Sequence, residues 1–156
     1  MVDANDVVRK ALEFLVNPNQ YGYCLGAQGE RLEELGEKIR YYYKMSTYEY
    51  AMKYHYNMDT RMYDCSGLVN YCVGLSRNYT SRDYGLPAWK PSTDLKGGRA
   101  GSVLWKKGHV GIDVGHGFVV EIRNEGSRPS ISRISERDFT HSVEVPCVDY
   151  TYVNNR

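Results

Sequence analysis

Apolar residues recur at two different periods along this chain, and the change from one to the other divides it. Between residues 4 and 16, Val7, Val8, Ala11, Leu12 and Leu15 fall at helical spacing, with Asp3 placed to cap the start and Pro18 just past the end. That spacing predicts a first amphipathic helix. Turn residues follow at Gly22 and Gly26, and then ERLEELGEKIRYYYK at 30–44 joins strong helix formers to mixed charge, which predicts a second helix weakened at Gly36. Ser46 and Glu49 have capping-box spacing ahead of TYEYAMKYHYN, so a third helix is expected to end near Asn57. Leu68, Val69 and Val73 fit a fourth from Cys65 to Gly74, with Cys65 in its first turn.

The texture then changes. Gly, Ser and Pro recur between 76 and 101, and short apolar runs after them predict strands near 102–106, 109–114, 118–123, 130–134 and 143–148. Helices first and antiparallel strands second is the order of an α+β domain with N-terminal helices packed on one side of a small antiparallel sheet. At 156 residues one domain is expected, helical over about 1–75 and sheet-forming over about 100–150.

Composition narrows the function classes. With 25% charged residues and a formal charge of +1, no basic surface calls for nucleic acid. No apolar run approaches the roughly 18 residues that span a bilayer, so no membrane partner is expected. The N-terminus MVDANDVVRKALEFLVN lacks the basic-then-apolar plan of a signal peptide, and synthesis in the cytoplasm without a visible export signal is the expectation. The four cysteines, Cys24, Cys65, Cys72 and Cys147, contain no C-x-x-C pair, so neither zinc nor a disulfide framework is indicated. No metal or organic cofactor is called for, and a monomer is expected.

One cysteine has chemistry written around it. In YDCSGLVNYCVG, Cys65 stands at a helix N-terminus, where unpaired amides and the dipole favour thiolate and can bring a cysteine pKa to roughly 3.5–7.5. Its small neighbours Ser66 and Gly67 leave room for a substrate carbonyl, and the N–H groups of that turn suit a developing oxyanion. A nucleophilic thiol needs a base, and GHVGIDVGHGFVVEI offers His109 at the start of an alternating run with a Gly-His-Gly turn. If that hairpin turns near Gly115 or His116, residues whose numbers sum to about 230–232 face each other, and His109 lies within one pairing step of Glu121. Glu121 can then orient the imidazole as the third member of a triad does.

The string Asp64-Cys65-Ser66-Gly67-Leu68-Val69, followed some forty residues later by His109-Val110-Gly111-Ile112, resembles the paired signature of the NlpC-type cell-wall cysteine peptidases. The resemblance implies a papain-like fold with the cysteine opening a helix, the histidine on the next strand and a third polar residue twelve positions on, which is Glu121. It also implies an oxyanion tyrosine in YGYCLGAQGE, Tyr23 or Tyr21, with Tyr23 keeping the spacing to Gly26-Ala27, and a substrate subsite lined by Asp64 and Ser66. Asp64 by itself reads equally as a helix cap. Ala100-Gly101-Ser102 stands where the family usually has Pro-Gly-Asp, and 29–61 is longer than in compact members.

The implied activity is hydrolysis of an amide in peptidoglycan stem peptides, between D-glutamate and the diamino acid, by a phage-type lysin or an excised catalytic domain. The alternatives are a muramoyl-alanine amidase, an acyl transferase, or a silent wall-peptide-binding module. Cys24, Cys72 and Cys147 are expected to pack as core thiols, and His55, His116 and His141 to stand apart from the chemistry. Tyrosines 41, 42, 43, 48, 50, 54 and 56 are expected to pack helices, with part of the extra segment walling the cleft.

Overall fold

The computed structural model describes residues 1–75 and 79–153. Strand β1 (Val2–Asp3) leads into helix α1 (Ala4–Glu13), which Asp3 caps by accepting from the Asn5 N–H at 2.8 Å. Strands β2 (Tyr21–Tyr23) and β3 (Gln28–Arg31), helices α2 (Gly36–Tyr43) and α3 (Thr47–Tyr54), and strand β4 (Arg61–Tyr63) follow. Helix α4 (Cys65–Val73) and the short α5 (Ser81–Tyr84) precede β5 (Val103–Lys106), β6 (His109–Gly115), β7 (Phe118–Glu121), β8 (Ser130–Arg133), β9 (His141–Val143) and β10 (Val148–Asp149).

Five of these strands form one antiparallel sheet in the order β8-β7-β6-β5-β9. Alternation sorts its side chains. Val103, Val110, Ile112, Val120 and Ile122 point to one face, where α1 and α4 bury them against Val7, Ala11, Leu68 and Val69. Each such fully buried aliphatic side chain contributes roughly 1.5–3 kcal/mol relative to exposure. Leu104 and Val119 point to the opposite face and meet Phe139 there. The β6–β7 hairpin turns at His116-Gly117, both with positive φ (57° and 83°), as a two-residue turn that matches the twist of its strands requires. This is an α+β architecture, and no helix among the described residues is long and apolar enough to cross a membrane.

Three boundaries differ from the sequence expectation. Residues 30 and 31 do not open the second helix but belong to β3, which pairs with β4, and Gly36, expected as a weak point inside that helix, is instead its first residue. Pairing with Arg61 and Tyr63 overrides the helix propensity of 30–35, as tertiary context does. The last strand of the sheet lies at His141–Val143 rather than 143–148, because Val103 and Trp105 pair with Val143 and His141, while Val148 joins Val2 in a separate parallel pair. The third helix stops at Tyr54, where His55 takes a left-handed conformation (φ 62°). The short elements β2, β4 and α5 carry too few residues for a period to register. Of the loop read between 76 and 101, residues 76–78 lie outside the described residues.

Candidate active site

The site begins at the entry to α4. Asp64 caps this helix through Oδ1, which accepts from the Gly67 N–H at 2.6 Å and the Ser66 hydroxyl at 2.9 Å, while Oδ2 accepts from the Gly26 N–H at 2.9 Å. One carboxylate thereby ties the turn that bears Cys65 to the loop after β2. Gly67 makes the approach possible, since a Cβ there would sit 2.3 Å from the Ala27 carbonyl. Cys65 is buried beside this junction, with 9% of its surface exposed.

The helix terminus does not lower the thiol as expected. Burial, and then the neighbouring Asp64 carboxylate, push Cys65 up to about 11, although the N–H groups of Val110, Ser66 and Cys65 itself oppose the rise. Desolvation outweighs the dipole here and favours the protonated thiol. The Val110 N–H also places the sulfur against the residue that follows His109 on β6.

His109 is fixed on both sides. Its Nε2 lies 2.6 Å from Glu121 Oε1, and its ring stacks on Phe139 with centroids 5.6 Å apart. Pairs Ile112↔Val120 and Asp113↔Val119 set a register sum of 232, which puts Gly111 opposite Glu121 and His109 two residues further along the same face. The missing side chain at Gly111 opens that diagonal, since a Cβ there would stand 3.3 Å from Glu121 Cβ and 2.8 Å from Val119 Cγ2. Glu121 is wholly buried, and it also accepts both arms of Arg137, Nε to Oε2 at 2.8 Å and Nη2 to Oε1 at 2.7 Å. Burial alone would raise its carboxyl, but the hydrogen bonds from Arg137 and His109 outweigh that and hold it at about 2. An ionised carboxylate only accepts, so Nε2 carries the proton and Nδ1 is left as the basic nitrogen.

Tyr23 lies in the same buried cluster as Cys65. Burial first, then the nearby Cys65 and Asp64, raise its phenol well above the ordinary value. Its backbone is braced by tyrosines of the α2–α3 segment and its exit: the Tyr56 hydroxyl accepts from the Tyr23 N–H at 3.0 Å, and the Tyr50 hydroxyl donates to the Tyr23 carbonyl at 2.5 Å. Next to it, the Leu25 N–H donates to the Tyr43 hydroxyl at 2.9 Å, and that hydroxyl donates to Glu125 at 2.5 Å.

Sequence reasoning missed Arg137 and Phe139. Both lie in the irregular stretch after Ile134, where a charged residue reads as a solvated face and nothing marks its partner. The remaining histidines stand elsewhere: His55 at the end of α3, His116 in the hairpin turn, and His141 on edge strand β9 against Trp105. All four cysteines are free thiols, with Cys24 and Cys72 buried in the two main cores.

No protein-family model and no curated protein matches this chain. Among solved structures, it is similar to the NlpC/p60 domain of the peptidoglycan hydrolase SagA at 16% identity and a TM-score of 0.57, covering 92% of this chain and 100% of that one. A second similar structure is the P60 domain of an antigen from M. avium subspecies paratuberculosis, at 18% identity and a TM-score of 0.45, covering 87% and 94% of the two chains. The first of these likenesses covers nearly the whole of both chains, and the fold of this chain is that of an NlpC/p60 domain.

Proposed function

We propose that the chain is a cysteine peptidase that hydrolyses an amide in peptidoglycan stem peptides. The observation that carries this reading is the His109–Glu121 pair at 2.6 Å, with Nδ1 left basic and the Cys65 sulfur against the adjoining residue of the same strand. In this mechanism Cys65 Sγ attacks the amide carbon while its proton passes to His109 Nδ1, and Glu121 stabilises the imidazolium. The Tyr23 hydroxyl and the Cys65 N–H receive the oxyanion. Collapse expels the amine, which takes the proton from His109. Water, deprotonated by His109, then cleaves the thioester, releasing the carboxylate and restoring the thiol. Burial favours the thiol form at Cys65, and His109 is the proton acceptor as the sulfur attacks.

Within this class the bond is the one between D-glutamate and the diamino acid, and the agent a monomeric lysin of the phage type or the catalytic domain of a larger protein. The resemblance of 64–69 and 109–121 to NlpC-type peptidases supports the bond. Asp64 and Ser66, flanking the nucleophile, border the subsite for the substrate's free amino or carboxyl groups.

The test is digestion of purified peptidoglycan from one diaminopimelate-type and one lysine-type wall, with fragments identified by mass spectrometry. Wild type is expected to release defined stem-peptide fragments and Cys65→Ala none. Release of lactyl-terminated glycan and intact stems would assign an amidase instead. If both proteins bind the wall and neither cuts it, the hydrolase reading fails in favour of a binding module.

A further inference from the structure

A cavity of about 370 Å³ opens where the end of α1 meets α4 and the small sheet β2-β4-β3. The walls it takes from that sheet share one face. Tyr21 pairs with Arg61 and Gln28 pairs with Tyr63, and Arg61 and Tyr63 stand two residues apart on β4, so all four side chains leave the sheet on the same side. Met62 between them turns the other way, into the tyrosine core. Phe14 of α1 forms the floor, with the ring centroids of Tyr21, Tyr63 and Tyr71 at 4.7, 5.2 and 5.6 Å from its own. The three tyrosines therefore surround one space.

Most of the polar groups on these walls donate. Tyr63 keeps only 7% of its surface exposed, yet its hydroxyl is open at the cavity and hydrogen-bonds to no described residue, as is true of the Tyr21 and Tyr71 hydroxyls. Burial, and then Tyr71 and Tyr21, push the Tyr63 phenol up to about 12, so it is a donor at neutral pH. Gly29 (φ 103°) keeps the approach to it clear, since a Cβ there would stand 3.0 Å from the Tyr63 hydroxyl. Arg61 reaches the same residue, Nη1 donating to the Gly29 carbonyl at 3.2 Å, and the half-buried Lys10 holds its Nζ 5.5 Å from the Tyr71 ring centroid. Among the described residues neither Lys10 nor Arg61 has a carboxylate within 4 Å. The Gln28 amide oxygen accepts from Asn70 Nδ2 at 3.0 Å, which leaves its N–H groups to give. The carboxylate on the rim, Glu13, is held by Arg9 at 2.6 Å.

Two lone cations, three phenols and an amide are more donors than the roughly four lone-pair sites of a carboxylate take up. A phosphate group presents three strong acceptor oxygens and a charge of about −1.5 to −2, which matches the two cations. The cavity is larger than a phosphate group, and Tyr71, 47% exposed, offers an aromatic face to what the phosphate is attached to. We propose that this cavity binds the phosphate monoester of a sugar, with the phosphate oxygens accepting from Lys10, Arg61 and Tyr63 and the carbon–hydrogen face of the ring lying on Tyr71. Neither Cys65, His109 nor Tyr23 borders it, and the proposal is independent of the hydrolase reading.

Its test is an amide NMR titration of the full chain at about pH 7.5, where the monoester is close to dianionic, with D-glucose 6-phosphate, D-glucose, inorganic phosphate and D-glucuronate as separate probes, read at Gln28, Gly29 and Tyr71. Saturable shifts with the sugar phosphate are expected, at an affinity at least tenfold above that for each of the other three. The Lys10→Ala/Arg61→Ala double variant is expected to weaken it at least tenfold. Tyr63→Phe keeps the ring packing and removes only the hydroxyl, so it decides the matter even if the double variant does not fold, and it should weaken the sugar phosphate at least threefold with amides outside the cavity unmoved. Absence of saturable shifts, glucose, glucuronate or inorganic phosphate binding as well as the ester, or full affinity in Tyr63→Phe would each overturn the proposal. No activity is read, so failure of the hydrolase reading leaves the outcome unchanged.

Discussion

Two cores meet at the candidate site and hold it by different physics. Behind Cys65 and His109 the packing is aliphatic: Leu68, Val69 and Val73 of α4 lie on Val103, Val110, Ile112, Val120 and Ile122 of the sheet. Around the Tyr23 loop the second core gathers Leu32, Ile39, Tyr50, Tyr56 and Met62, and its tyrosines use their hydroxyls on the backbone of residues 23–25 and on 125–127. Aliphatic packing is non-directional and holds whole elements by volume. Hydroxyl-to-backbone bonds act on single atoms at about 2.5–3.0 Å. The sheet core therefore sets the distance between α4 and β6, and the tyrosine core sets where the loop bearing Tyr23 and Gly26 lies against them. The α2–α3 segment braces the Tyr23 loop from behind, and its most exposed rings, Tyr41 and Tyr48, take no part in that brace.

Substitutions separate the two modes, beginning with the largest effect. Arg137→Met leaves the Glu121 carboxylate buried without its bidentate partner and is expected to cost about 3–5 kcal/mol in urea unfolding. The double variant Glu121→Gln/Arg137→Met should recover most of that loss while staying impaired in hydrolysis. Equal loss in both would show that the pair acts by packing alone. The same triad has a pH signature. Glu121 is held at about 2 against an ordinary 4.5, so its stabilisation is full above 4.5 and is lost as pH falls from there towards 2. Wild type should lose stability across that window more steeply than Glu121→Gln.

Tyr23→Phe removes one proposed oxyanion donor. Its hydroxyl makes no hydrogen bond to a described residue, so hydrolysis should fall by roughly 10²–10³ with melting unchanged. A fall in melting temperature together with unchanged kinetics would move Tyr23 out of the site. Tyr50→Phe deprives the buried Tyr23 carbonyl of a donor and is expected to cost about 1–3 kcal/mol. Turnover should fall with it, because the loop loses its register against Cys65, and unchanged turnover would break the idea that the tyrosine core positions the site. Ser46→Ala removes the cap that accepts from the Glu49 N–H at 3.1 Å, for about 1 kcal/mol and no change in turnover. That variant is the control for stability lost without loop displacement.

Much of the layout is legible in the sequence, for local reasons. The caps at Asp3, Ser46 and Asp64 and the glycine ending α4 are short-range features, and all four appear where the spacing places them. The hairpin arithmetic brings His109 near Glu121 because the turn at 116–117 sets the pairing to within the one-residue shift between Asp113 and Gly115. It leaves open which residue lies directly across, and that residue is Gly111. The stretch 30–35 misleads for the opposite reason, since its helix propensity is local while the strand that claims its first residues lies thirty positions away.

By itself the sequence determined the elements whose pattern repeats within a few residues, and with them the placement of Cys65 at a helix start and of His109 and Glu121 on one hairpin. The tertiary structure alone decided that Arg137 clamps Glu121, that Phe139 backs the imidazole, that tyrosines hold the Tyr23 loop, and that burial pushes the Cys65 thiol up. Each of these depends on burial or on a partner far along the chain. Local periodicity records neither the dielectric around a group nor the loop that closes over it.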